Sequence, residues 1–102
     1  MAGKKGGKRR RNKNHALVTA LRHPLRRAIL KRMSDGRKAS PSELSEELDE
    51  TLSNVAYHVR VLARSRALKP VSKRQVRGAT QHFYRWSLKA KWAQTMLEED
   101  ED

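Results

Sequence analysis

The sequence predicts a mainly α protein with a β-hairpin, in the order α-α-α-α-β-β-α. Three observations carry that prediction. Two short helical patterns meet at a tight turn between Leu48 and Leu52. After Leu68 the hydrophobic period changes from helical to alternating, around a tip at Arg77 and Gly78. No acidic residue occurs from Leu52 to Thr95, in a chain with 24 Lys+Arg, 11 Asp+Glu and a formal net charge of +13.

The first helix begins near Asn14, places Leu17 and Leu21 four apart, and ends at His23, because a residue before proline is pushed out of the helical region. Pro24 suits the first position of a second helix, with Leu25, Ile29 and Met33 on one stripe, Leu30 beside it and Gly36 as the stop. Ser40, Pro41 and Glu43 open the third helix with the S-x-x-E capping box, and Leu44 and Leu48 form its buried face. Asp49 and Glu50 make the turn, where Asp tolerates the left-handed conformation better than most residues. Thr51 caps a fourth helix running to about Ser65. Val55, Val59 and Leu62 form its core stripe, and Ser53, Asn54, Tyr57, Arg60 and Arg64 lie on the opposite side.

Leu68–Val76 and Thr80–Ser87 read as two strands, with Gly78 supplying the positive φ of the hairpin turn. Pro70 lacks a ladder donor and places the first strand at an edge. Lys73, Arg74 and Arg77 cluster near the tip, with Gln81 on the returning strand. The last helix, Leu88–Leu97, has Leu88, Trp92 and Met96 as a stripe that needs cover from its own domain or from a second copy. Together these elements make a winged helix-turn-helix over residues 14–97.

Outside that unit, residues 1–13 hold seven Lys or Arg and no large apolar side chain, so they read as a disordered basic arm. Lys8, Arg9, Arg10 and Arg11 either aid solubility or track phosphates without sequence preference. Residues 98–102, EEDED, read as a solvated acidic tail. Those five acids removed, the remainder carries 24 minus 6, or +18, which favours a polyanion through counterion release.

Composition narrows the function classes. Absence of cysteine excludes disulfide and thiolate chemistry. No apolar run approaches the roughly 18 residues of a membrane span. The apolar segment after the basic start, Ala16 to Leu21, contains Thr19 and is stopped by Arg22, unlike a signal peptide. No phosphate-binding glycine loop or Ser, His and Asp constellation is present, so the chain reads as a non-enzyme without cofactor. His15, His23, His58 and His82 lack convergent metal-ligand spacing, and no metal is expected.

At SELSEEL, SNVAYHVRVL and RQVRGATQHFYR the chain resembles the ArsR-type winged helix-turn-helix transcription regulators, closest to small bacterial members without a metal motif. The resemblance covers about Leu17 to Ser87. It implies a regulator of double-stranded DNA; composition makes it cytoplasmic and nucleoid-associated, the last-helix stripe suits a homodimer through first and last helices, and the compact domain suits repression by occlusion. It makes Ser53, Asn54, Tyr57, His58 and Arg60 base-facing, with Thr51 near phosphate. Arg60 or Arg64 would pair with guanine and Asn54 with adenine. Lys73, Arg74, Arg77 and Gln81 would grip the backbone.

The chain departs from the family at Asp49 and Arg66, where glycine is common, and at Glu50, an anchor position that Leu52 is expected to replace. The paired cysteines of the arsenic-sensing type and the last-helix His and Asp ligands of the zinc-sensing type are also missing. Two other classes compete: a non-specific nucleoid-type DNA- or RNA-binding protein, and a module that docks another regulator.

Overall fold

The computed structural model describes residues 15–89 and 91–99. The basic arm lies outside the described residues, as does the tail beyond Glu99. Helical residues 15–20 form α1. They are followed by α2 (Pro24–Arg32), β1 (Lys38–Ala39), α3 (Pro41–Leu48), α4 (Leu52–Arg64), β2 (Leu68–Val76), β3 (Ala79–Trp86) and α5 (Lys91–Glu99). The winged helix-turn-helix expected from the sequence is present, with one addition. The two-residue strand β1 pairs antiparallel with β3, giving a sheet of order β1-β3-β2.

Local chemistry sets each boundary. His23 caps α2 by accepting a hydrogen bond at Nδ1 from the Leu25 amide at 3.2 Å, and Pro24 begins the helix. The guanidinium of Arg27 donates to the Leu21 carbonyl at 2.7 Å, which satisfies a backbone acceptor at the α1–α2 corner. The predicted capping box is complete: Ser40 Oγ accepts from the Glu43 amide at 3.2 Å, and Glu43 Oε1 accepts from the Ser40 amide at 3.0 Å. Asp49 takes φ 55 after α3, and the Glu50 amide reaches back to the Ser45 carbonyl at 3.0 Å.

A bidentate pair from Arg37 to Glu47, at 2.9 and 2.6 Å, ties the loop before β1 onto α3. The guanidinium holds the Glu47 carboxyl below the usual carboxylate range.

Leu17, Leu21, Ile29, Leu30, Met33, Leu44, Val55, Val59, Leu62 and Leu68 share one core. The stripes predicted for the first four helices therefore point inward. The sheet covers this core with one face: Trp86 opposite Leu68, and Tyr84 opposite Ala39. A register shift between Pro70 and Ser72 bulges the edge strand at Val71, near the proline expected to mark an edge.

The last helix differs from expectation. Leu88 is buried but precedes the helix, whereas Trp92 and Met96 are 43% and 38% exposed. Ala93 and Leu97 make the inward contacts instead. The connection after β3 uses Leu88 as a plug, with its carbonyl accepting from Trp86 Nε1 at 3.1 Å, so the helical phase starts later than Leu88. Among the described residues no helix is long and apolar enough to cross a membrane, and no three His, Cys, Asp or Glu side chains converge on a metal position.

Candidate nucleic-acid interface

Helix α4 is held between two well-built ends. Thr51 is extended, and its hydroxyl oxygen accepts from the Asn54 amide at 3.3 Å. At the other end the Ala67 amide bonds the Leu62 carbonyl at 2.9 Å and the Arg66 amide bonds the Ala63 carbonyl at 3.1 Å. This is a Schellman closure, with Arg66 at φ 68 in the position glycine usually takes. The departure noted in the sequence is therefore absorbed by a strained arginine.

Between those ends the core grips Val55, Val59 and Leu62, which turns Ser53, Asn54, Tyr57, Arg60 and Arg64 to solvent. That outer face carries hydroxyl, amide, phenol and guanidinium groups and no carboxylate of its own. Glu50, one turn before, accepts from Asn54 Nδ2 at 3.3 Å and orients that amide. Positive peptide dipoles at the helix N-terminus, near Thr51 and Ser53, favour an anion there.

His58 does not share this face. It is only 5% exposed, and its Nδ1 accepts from Arg26 Nε at 3.0 Å. Its ring lies 4.2 Å from that of His23 and edge-on to Tyr57, with centroids 5.0 Å apart. Burial, then the neighbouring His23 and Arg26, push its pKa down, against a smaller opposing effect of Glu50. His58 thus supports Tyr57 from beneath and is withdrawn as a base-facing residue. The reason is tertiary: Arg26 and His23 fill the angle of the helix that spacing alone left open.

The hairpin turns through Arg77 at φ 52 and Gly78 at φ 81, so both central residues are left-handed, as a type I′ turn requires. Lys73, Arg74 and Arg77 are exposed along it. Gln81 Nε2 donates to Ser40 Oγ at 2.6 Å, which fastens the hairpin to the N-terminus of α3.

A cleft of about 610 Å³ separates α4 from the hairpin. Leu52, Ala56 and Arg60, one stripe at i, i+4, i+8, form one wall, and Thr80, His82 and Tyr84 face them. Leu52 is 53% exposed, so it does not replace the missing anchor at Glu50. The same spacing, compared with that of Val55, Val59 and Leu62, would have revealed this second stripe. Arg26 had no such signal.

A family described as a helix-turn-helix domain matches residues 21–71. A comparison with curated protein sequences finds no match. Among solved structures, reduced HlyU from Vibrio cholerae N16961 is similar at 23% identity and TM-score 0.67, over 93% of this chain and 92% of that one. An ArsR family transcriptional regulator is similar at 25% identity and TM-score 0.59, over 86% and 81%. The homodimeric winged helix-turn-helix DNA-binding domain of Mb0332 from Mycobacterium bovis is similar at 12% identity and TM-score 0.65, over 86% and 74%. The family match, a hydrogen-bonding and basic outer face on the second helix of the motif, and a cationic hairpin beside it agree: the chain belongs to the helix-turn-helix domain family of DNA-binding transcription regulators, with a winged fold similar to that of ArsR-type members.

Proposed function

We propose that the protein is a sequence-specific, dimeric repressor that lays α4 in the major groove and sets the hairpin on the flanking phosphates or minor groove. The observation that carries this reading is the outer face of α4, where Ser53, Asn54, Tyr57, Arg60 and Arg64 are exposed together and none is acidic. Arg60 or Arg64 supplies a bidentate donor to guanine, and Asn54, already oriented by Glu50, presents its amide toward adenine. Thr51 and the helix N-terminus take a phosphate, as do Lys73, Arg74 and Arg77 on the hairpin. Lys8 to Arg11 add sequence-independent contacts.

Dimerisation through α1 and α5 rests on Trp92 and Met96, large apolar side chains left open on α5. Two α4 helices in a two-fold dimer read half-sites about 34–36 Å apart. Occlusion of a promoter in the cytoplasm is the proposed mode of action.

Selection of bound duplexes from a random pool, with competitor DNA at physiological salt, tests the reading. A palindromic consensus is the expected product. Equal recovery of all sequences would overturn it in favour of non-specific, nucleoid-type binding.

A further inference from the structure

The pleat of the sheet places three cations in one row. Side chains directly opposite in register project to the same face, and successive rungs alternate. The rungs Leu68–Trp86 and Ala39–Tyr84–Pro70 send Trp86 and Tyr84 to the core, so the rung between them points the other way. That rung is Lys38–Arg85–Lys69, and all three residues are exposed.

Among the described residues no ion pair neutralises this row. Lys38 is steadied by Ser72 Oγ at 3.3 Å and by the Phe83 ring, whose centroid is 5.4 Å from the ammonium. Among the described residues no carboxylate pairs with Lys69 or Arg85. Like charges directly opposite one another destabilise a sheet, so the arrangement carries a penalty without an internal return. Three cations about 4.8 Å apart span about 10 Å, an axial length over which one duplex strand presents about three to four phosphates.

The row also lies away from the cleft that Leu52, Ala56 and Arg60 share with Thr80, His82 and Tyr84. On the proposed seating, a duplex on α4 lies on the cleft side of the sheet, the side that Tyr84 faces, and the row lies on the other face.

We infer that the outer face of the sheet, through Lys38, Arg85 and Lys69, binds the phosphate backbone of a second DNA segment, so that one protein molecule bridges two duplexes. The inference rests on the proposed seating of the first duplex on α4. The partner is recognised by charge alone, and the contact is salt-sensitive and indifferent to sequence.

The experiment immobilises one duplex, loads the full-length protein, and then passes a fluorescent duplex of unrelated sequence. The wild type should retain the second duplex. K69A/R85A, whose substitutions are both exposed, should retain at least about tenfold less while binding the first duplex within about twofold of wild type. Its log–log salt slope for second-duplex capture should be smaller by about 2, since each phosphate contact contributes about 0.9. The inference is overturned if wild-type protein on the first duplex captures none of the second, or if K69A/R85A captures it undiminished. Failure to load even the first duplex would overturn the reading of α4 as well, so the two failures are distinguishable.

Discussion

Among the described residues, three that are not glycine, Asp49, Arg66 and Arg77, hold positive φ, and each ends or turns an element. Arg66 carries strain, because an L-residue there costs about 1–2 kcal/mol and its side chain makes no compensating bond among the described residues. Arg66→Gly should stabilise the fold by about 0.5–1 kcal/mol, after the extra freedom glycine gives the unfolded chain is deducted. A denaturant titration with unchanged slope and a higher midpoint would register the gain. Asp49→Gly should gain less, since Asp tolerates this conformation.

His58 sets a pH dependence. Its Nδ1 must be unprotonated to accept from Arg26, and its pKa in the fold lies below the ordinary value. Above about pH 6.5 both folded and unfolded forms are neutral, and no penalty arises. As the pH falls through that value the unfolded chain takes a proton that the folded one refuses, so stability declines until the folded pKa is passed. Melting temperatures measured from about pH 7.5 down to about 5.5 should therefore fall, and His58→Asn should flatten the decline. An unchanged slope in the variant would assign the effect elsewhere.

At the level of elements, the proposed function gives base reading to α4 and phosphate contact to the hairpin. Tyr57→Ala with Arg60→Ala should erase sequence preference, with about 1–3 kcal/mol lost for each bidentate base contact removed. Arg77→Ala should weaken all duplexes alike and lower the salt slope by about 1. Competition binding at two or more salt concentrations separates the two outcomes.

Elements whose signals are local were legible in the sequence. The capping box of α3 lies within four residues, and the core stripe of α4 within eight. Strand β1 was not legible, because Lys38 and Ala39 have no pattern of their own and become a strand only by pairing with Arg85 and Tyr84. The place of His58 was hidden for a related reason: its partner Arg26 is 32 residues away. In α5, Leu88 belongs to the apolar spacing but not to the helix, which led the predicted stripe onto Trp92 and Met96 rather than Ala93 and Leu97.

For the whole molecule, that reversal has a consequence for assembly. Trp92 and Met96 are the large apolar side chains that α5 leaves uncovered, and α5 is the C-terminal edge of the described fold. Trp92→Ala with Met96→Ala should shift the protein toward monomer in sedimentation equilibrium. Operator affinity should fall with it, because on the proposed function a single α4 would read only half a site. A variant that remains dimeric would place the interface on another surface.

Ser40 finally sets how the molecule comes apart. Fully buried, it caps α3, follows β1 directly in the chain, and receives the Gln81 side chain from β3. Detaching the hairpin base therefore unlatches the α3 cap in the same event, so the two regions open as one cooperative unit rather than separately. Native-state hydrogen exchange should give the Glu43 amide and the bonded amides around Tyr84 a common opening free energy, with the hairpin tip at Arg77 and Gly78 exchanging far sooner. In Ser40→Ala both regions should lose protection together, by about 1–2 kcal/mol.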